Sequence, residues 1–137
     1  ILDMKHKILV VDDEAEIRKT IRLQLEGTNY DVLEAEDGEK GIQVLENENI
    51  LEFDVIICDV RMPKVNGIEA IAYFREYYAS IPIIVLTGYP DVQLAVEFMK
   101  DGVVDYLVKP VEKDKLVDAV GKAARQHTIF SGSQPKV

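Results

Sequence analysis

Five side chains in this sequence stand where short apolar runs stop. Asp12 and Asp13 follow KILVV, Asp59 follows VIIC, Thr87 follows PIIVL and Lys109 follows VVDYLV. Carboxylates gathered within a few ångströms repel one another unless a hard cation neutralises them. An ion held by one or two carboxylates, a carbonyl and waters, with positions open to phosphate oxygens, describes Mg2+. A carboxylate can also attack phosphorus and carry the group as an aspartyl phosphate. Phosphoryl transfer then needs positioning and charge neutralisation, which a metal, a hydroxyl and an ammonium supply. Asp59, with partners on both sides, is the natural acceptor. Each residue has a plainer role when taken alone. Asp12-Asp13-Glu14 could be a helix cap with first-turn acids, Asp59 and Thr87 turn residues, and Lys109 a solvated loop lysine. Their recurrence at successive strand ends favours one shared site, because a site is defined by geometry and roles.

The elements that must position them are legible from periodicity. Lys7 to Val11, Phe53 to Cys58, Pro82 to Leu86 and Val103 to Val108 read as strands. Uninterrupted Val/Ile runs such as VIIC are those of a parallel sheet buried on both faces. Tyr30 to Ala35 alternates and reads as a strand nearer the sheet edge. Helices are expected over Glu14 to Glu26 (Ile17, Ile21, Leu25), from Asp37-Gly38 through Ile42 and Leu45, and over Gly67 to Tyr78. In the last of these Ile68, Ile71, Ala72 and Phe74 are expected to face inward. Two more follow, over Asp91 to Lys100 (Val92, Ala95, Val96, Met99) and Lys113 to Gln126 (Leu116, Ala119, Val120, Ala123). Strand and helix alternate five times, which predicts an α/β fold with helices on both faces of a parallel sheet. Ligands of such sheets sit at the carboxyl ends of the strands, where the five side chains lie.

Bulk properties narrow the function further. A chain of 137 residues with 47% hydrophobic content fits one globular domain. A net charge of −9 argues against direct nucleic-acid or membrane-surface binding. Cys58, the single cysteine, sits in an apolar run and reads as a small core residue. No run approaches the length of a membrane span, and no signal peptide opens the chain, so a cytoplasmic, reducing setting is expected. Ile1 to Asp3, ahead of Met4, read as upstream sequence, which makes residues 1–4 an extension. From His127 the composition turns polar and linker-like.

Taken together, VVDDE, CDVRMPKVNG, LTG and YLVKP resemble the CheY-like receiver domains of two-component signalling, over nearly the whole of Lys5 to Gln126. The resemblance implies a flavodoxin-like (βα)5 doubly wound sheet of strand order 2-1-3-4-5. It implies that Asp59 takes phosphate from the phosphohistidine of a sensor histidine kinase or phosphotransfer protein. Asp12, Asp13 and Asp59 would bind Mg2+ with the main-chain carbonyl of Arg61, and Thr87 and Lys109 would bind the phosphoryl oxygens. Thr87 and Tyr106 would form the switch, rearranging the surface over the fourth helix, fifth strand and fifth helix, through which a homodimer could form. No enzyme beyond this self-phosphorylation and self-dephosphorylation is implied. Arg61 and Tyr89, two residues after the acceptor and the threonine, are bulky here, and slow hydrolysis of the phosphoryl group is expected. The domain is expected over 5–126, with 127–137 a polar tail or a linker to an output domain.

Rival readings are weaker on this sequence. A flavodoxin-type cofactor binder needs a Ser/Thr/Gly-rich loop after the first strand, where Asp12-Asp13-Glu14 stands. An aspartate-nucleophile phosphohydrolase wants a second acid at Arg61, and an NTPase wants a Walker loop. A receiver-shaped interaction module that signals without phosphorylation is the alternative.

Overall fold

The computed structural model describes residues 6–60 and 67–130. Five strands, β1 (His6–Val11), β2 (Tyr30–Ala35), β3 (Phe53–Cys58), β4 (Ile83–Thr87) and β5 (Asp105–Val108), alternate with five helices. These are α1 (Ala15–Gln24), α2 (Gly38–Asn47), α3 (Gly67–Tyr77), α4 (Val92–Lys100) and α5 (Lys113–Phe130). All pairings are parallel and the order is β2-β1-β3-β4-β5, as expected, with β2 at one edge.

Alternate residues of each strand point to opposite faces, so the apolar runs feed two cores. Leu9, Val11, Phe53, Ile56 and Val85 pack with Leu45 of α2, Ile71 and Phe74 of α3 and Phe98 of α4. Ile8, Val10, Val55, Ile57 and Ile84 pack with Ile21 of α1 and Leu116, Val120 and Ala123 of α5. The register aligns the carboxyl ends: Val11 pairs with Ala35 and with Cys58, Cys58 with Val85, and Thr87 with Val108. The residues following each strand therefore emerge along one edge.

Local punctuation behaves as its chemistry dictates. Asp37 accepts the Lys40 N–H at 2.8 Å and Asp91 the Leu94 N–H at 3.0 Å, capping α2 and α4. Gly102 (φ 98°) ends α4 in a conformation that a side chain would strain. Four expectations are corrected. Ile68 and Ala72 are exposed, not inward, because α3 turns Ala70, Ile71 and Phe74 to the core. The stripe Val92, Val96 and Met99 faces solvent, because Phe98 occupies the core side of α4. A 3-10 turn, Ile50–Glu52, capped by the Asn49 side chain on the Leu51 N–H, precedes β3 where only a fading helix was expected.

The fourth correction has a buried acidic side chain as its cause. Helix α5 does not stop at Gln126 but runs to Phe130, and His127 is buried. Asp54, buried in β3, sets Oδ1 3.1 Å from His127 Nδ1 and Oδ2 2.7 Å from His6 Nδ1. A buried carboxylate demands partners, and supplying one draws the last helical turn onto the sheet.

Candidate functional site

Backbone ladders carry the two central acids past the ends of their strands. The Asp12 N–H donates to the Ala35 carbonyl at 3.0 Å, and the Asp59 N–H to the Val11 carbonyl at 2.9 Å. Both are buried. The Asp12 carboxylate is aimed by the Glu14 N–H, 2.9 Å from Oδ1, while Arg18 donates to the Asp12 main-chain oxygen. From the next strands, the Lys109 N–H donates to the Thr87 carbonyl at 2.8 Å, so β4 and β5 deliver hydroxyl and ammonium side by side. Thr87 is buried, and its hydroxyl oxygen accepts the Tyr89 N–H at 3.0 Å.

The Lys109 ammonium is the hub. It lies 2.7 Å from Asp12 Oδ2, 3.1 Å from Glu14 Oε1 and 3.4 Å from Asp59 Oδ2. Asp12, Asp13, Glu14 and Asp59 each bring a carboxylate oxygen within 4.8 Å of the others. Four acids around one ammonium leave an excess of negative charge. Burial works against the Lys109 charge, but Asp12, Asp59 and Glu14 outweigh it and keep the ammonium well above the ordinary lysine range. Burial pushes the Asp12 carboxyl up, with Asp59 adding to it, and Lys109 and the Glu14 N–H offset this only in part. Burial, then Asp59 and Asp12, push the Cys58 thiol far up, so it is inert core as expected. An all-oxygen donor set with surplus negative charge fits a hard divalent cation.

The Asp12 shift has a measurable consequence. A carboxyl that holds its proton more tightly when folded contributes stability below the ordinary carboxylate range. That contribution is lost as pH rises through this range to the folded value. At neutral pH and without metal, ionised Asp12 therefore opposes folding, and Asp12→Asn is expected to raise the thermal midpoint by about 2–4 °C. Asparagine keeps the Oδ1 acceptor for Glu14. A midpoint unchanged or lowered in chelator would mean that pairing with Lys109 outweighs burial.

Of the residues singled out from sequence, Asp12, Asp13, Asp59 and Lys109 converge, and Thr87 sits on the adjoining strand end. Tyr106 lies one element away, its hydroxyl accepting the N–H of Asp91 at 3.2 Å at the start of α4. Tyr89 is exposed, and Arg61 lies outside the described residues. Glu14 reads in sequence as a first-turn helix acid. As the N-cap of α1 it makes no side-chain cap bond and reaches Lys109 instead. The only signal was the third acid of the run.

Comparison with known proteins agrees with this geometry. The sequence model described as "response regulator receiver domain" matches residues 8–121. The transcriptional regulatory protein ZraR of Klebsiella oxytoca is 38% identical over 126 residues, covering 92% of this chain and 28% of that protein. FixJ, a transcriptional regulatory protein of Bradyrhizobium diazoefficiens, is 37% identical, covering 89% of this chain and 58% of its own length. A crystallised receiver domain protein from Clostridium thermocellum superposes with a TM-score of 0.83 at 34% identity, covering 91% of this chain and 98% of that one. Fold and site thus define a phosphoacceptor signalling module. The chain belongs to the response regulator receiver domain family, whose role in two-component signalling is to accept a phosphoryl group. It spans between 28% and 58% of these two curated relatives.

Proposed function

We propose that Asp59 is the phosphoacceptor and that Asp12, Asp13, Thr87 and Lys109 serve it. The observation that carries this reading is the buried Asp59 carboxylate 3.4 Å from an ammonium shared with Asp12. An Asp59 oxygen attacks phosphorus, an O–P bond forms, the P–N bond of the donor phosphohistidine breaks, and the imidazole leaves and takes up a proton. Lys109 neutralises the charge of the transferring group, and the Thr87 hydroxyl donates to one of its oxygens. Asp12, Asp13 and Asp59, with the Arg61 carbonyl, would hold Mg2+, which when bound supplies charge neutralisation for the incoming phosphoryl oxygens.

Two hydrogen bonds support a switch built on Thr87 and Tyr106. Thr87 gives up the Tyr89 N–H when its hydroxyl turns to the phosphoryl group, and Tyr106 leaves Asp91 for the space vacated. That motion would alter the face where Val92, Val96, Met99, Tyr106 and Val108 line an apolar groove, and a homodimer across this face is the proposed readout. The donor would be a cytoplasmic sensor kinase or phosphotransfer protein. The output would be a domain beyond the receiver, as in the longer relatives, which are transcriptional regulatory proteins, the receiver itself being too acidic to bind DNA.

Intact-mass spectrometry after incubation with acetyl phosphate and Mg2+ tests the reading. One phosphoryl increment is expected with Mg2+, and its rate should fall at least about 10²-fold in chelator, in line with the loss of a principal electrostatic stabiliser. No increment in folded protein with Mg2+ would favour the phosphate-independent interaction module.

A further inference from the structure

Among the described residues that pair with Lys109, Glu14 is the one that the phosphoryl chemistry leaves unused. Its side chain is 61% exposed, whereas those of Asp12 and Asp59, the other two partners of the ammonium, are 2% and 4% exposed. Two of the three carboxylates holding Lys109 are therefore the same buried oxygens that a metal would take. Two cations cannot be held at full strength by one carboxylate oxygen, so Lys109 must loosen from Asp12 Oδ2 whenever a divalent ion is bound. It is nearly enclosed, with a side chain 9% exposed, and cannot simply turn into solvent. Glu14 already touches it at 3.1 Å, and the Glu14 backbone is tied to Asp12 through its N–H.

We propose that Glu14 is a positioning residue, a standby counterion that receives the Lys109 ammonium displaced from Asp12 and holds it at the mouth of the site until phosphoryl oxygens arrive. The proposal rests on the reading of Asp12 and Asp59 as metal ligands. On this account Lys109 competes with the metal, and Glu14 relieves the competition without binding the metal itself.

The test is Mg2+ affinity, read by titration of backbone amide NMR signals in the unphosphorylated chain, which also reports that each variant is folded. Lys109→Met should tighten Mg2+ binding, because the competing cation is gone. Glu14→Gln should weaken it about 5-fold in the natural background and less than about 2-fold in the Lys109→Met background, since coupled neighbours are non-additive. Glu16→Gln, an equal charge change elsewhere on α1, should weaken it less than about 2-fold in both, as screened surface charge does. Equal weakening by Glu14→Gln in both backgrounds would overturn the proposal and make Glu14 a direct ligand or a mere charge. No weakening in either would overturn it too. A chain whose amides around Asp13 and Gly88 ignore Mg2+ would fail earlier, at the metal site itself, and that failure is told apart by the wild-type titration alone.

Discussion

With Asp59 changed to asparagine, the chain is expected to take up no phosphoryl group from acetyl phosphate, down to the detection limit of intact-mass spectrometry. An amide nitrogen in place of the carboxylate oxygen removes the anionic nucleophile and little else. The backbone N–H to Val11 is retained, the side chain keeps its volume, and the crowded acids lose one charge. The variant should therefore be at least as stable as the natural chain in chelator. The contrasting variant is Lys109→Met, which keeps the nucleophile and removes the ammonium 3.4 Å from it. There phosphorylation should persist but slow by about 10²–10³-fold, the scale of losing one preorganised charge partner. A phosphoryl increment of normal stoichiometry on Asp59→Asn would place the acceptor elsewhere and overturn the assignment.

The second large effect concerns a residue with no side chain. Gly67 opens α3 against the end of the acceptor segment, its N–H donating to the Val60 carbonyl at 3.0 Å. A Cβ at this position would lie 2.7 Å from the Val60 carbonyl carbon, and closer still to Val60 Cα and the Asp59 carbonyl oxygen. These are backbone atoms of the segment carrying the acceptor, so nothing can rotate aside. Gly67→Ala is expected to destabilise the domain by about 3 kcal/mol, the upper end of ordinary overpacking. That should lower the urea midpoint by about 1 M or more. Phosphorylation should slow as well, because relief needs the Asp59–Val60 backbone and the start of α3 to move apart. Gly88→Ala is the control, since among the described residues a Cβ there meets only the Lys109 Cδ at 3.8 Å. Equal midpoints for the two variants would refute the argument.

Sequence and structure agree most where chemistry is local. Apolar runs buried on both faces, Asp caps before helices and acids at strand ends are each readable within a few residues, and parallel register then aligns Asp12, Asp59, Thr87 and Lys109 without further information. What escaped was set by partners distant in sequence. Glu14 looks like any acid near a helix start until Lys109, 95 positions away, is folded against it. His127 looks like the start of a polar tail until Asp54 is seen to be buried and in need of a partner. Val92, Val96 and Met99 keep helical spacing but lie opposite Phe98, and periodicity alone cannot say which of two apolar stripes faces a core.

The Asp54 pairings also bear on where the folded chain can open. They join residues 48 and 73 positions apart in sequence, at the opposite end of the sheet from the phosphoryl site. His127 sits on the last turn of a helix, so its pairing can break without parting any strand of the sheet. The last turn of α5 is thus the closing seam of the fold, able to open by local unfolding while the acceptor edge stays assembled. Native-state hydrogen exchange should find amides at the end of α5 exchanging faster than those of β3, with Asp54→Asn widening that gap. Equal protection in both segments would show that the seam opens only when the whole domain does.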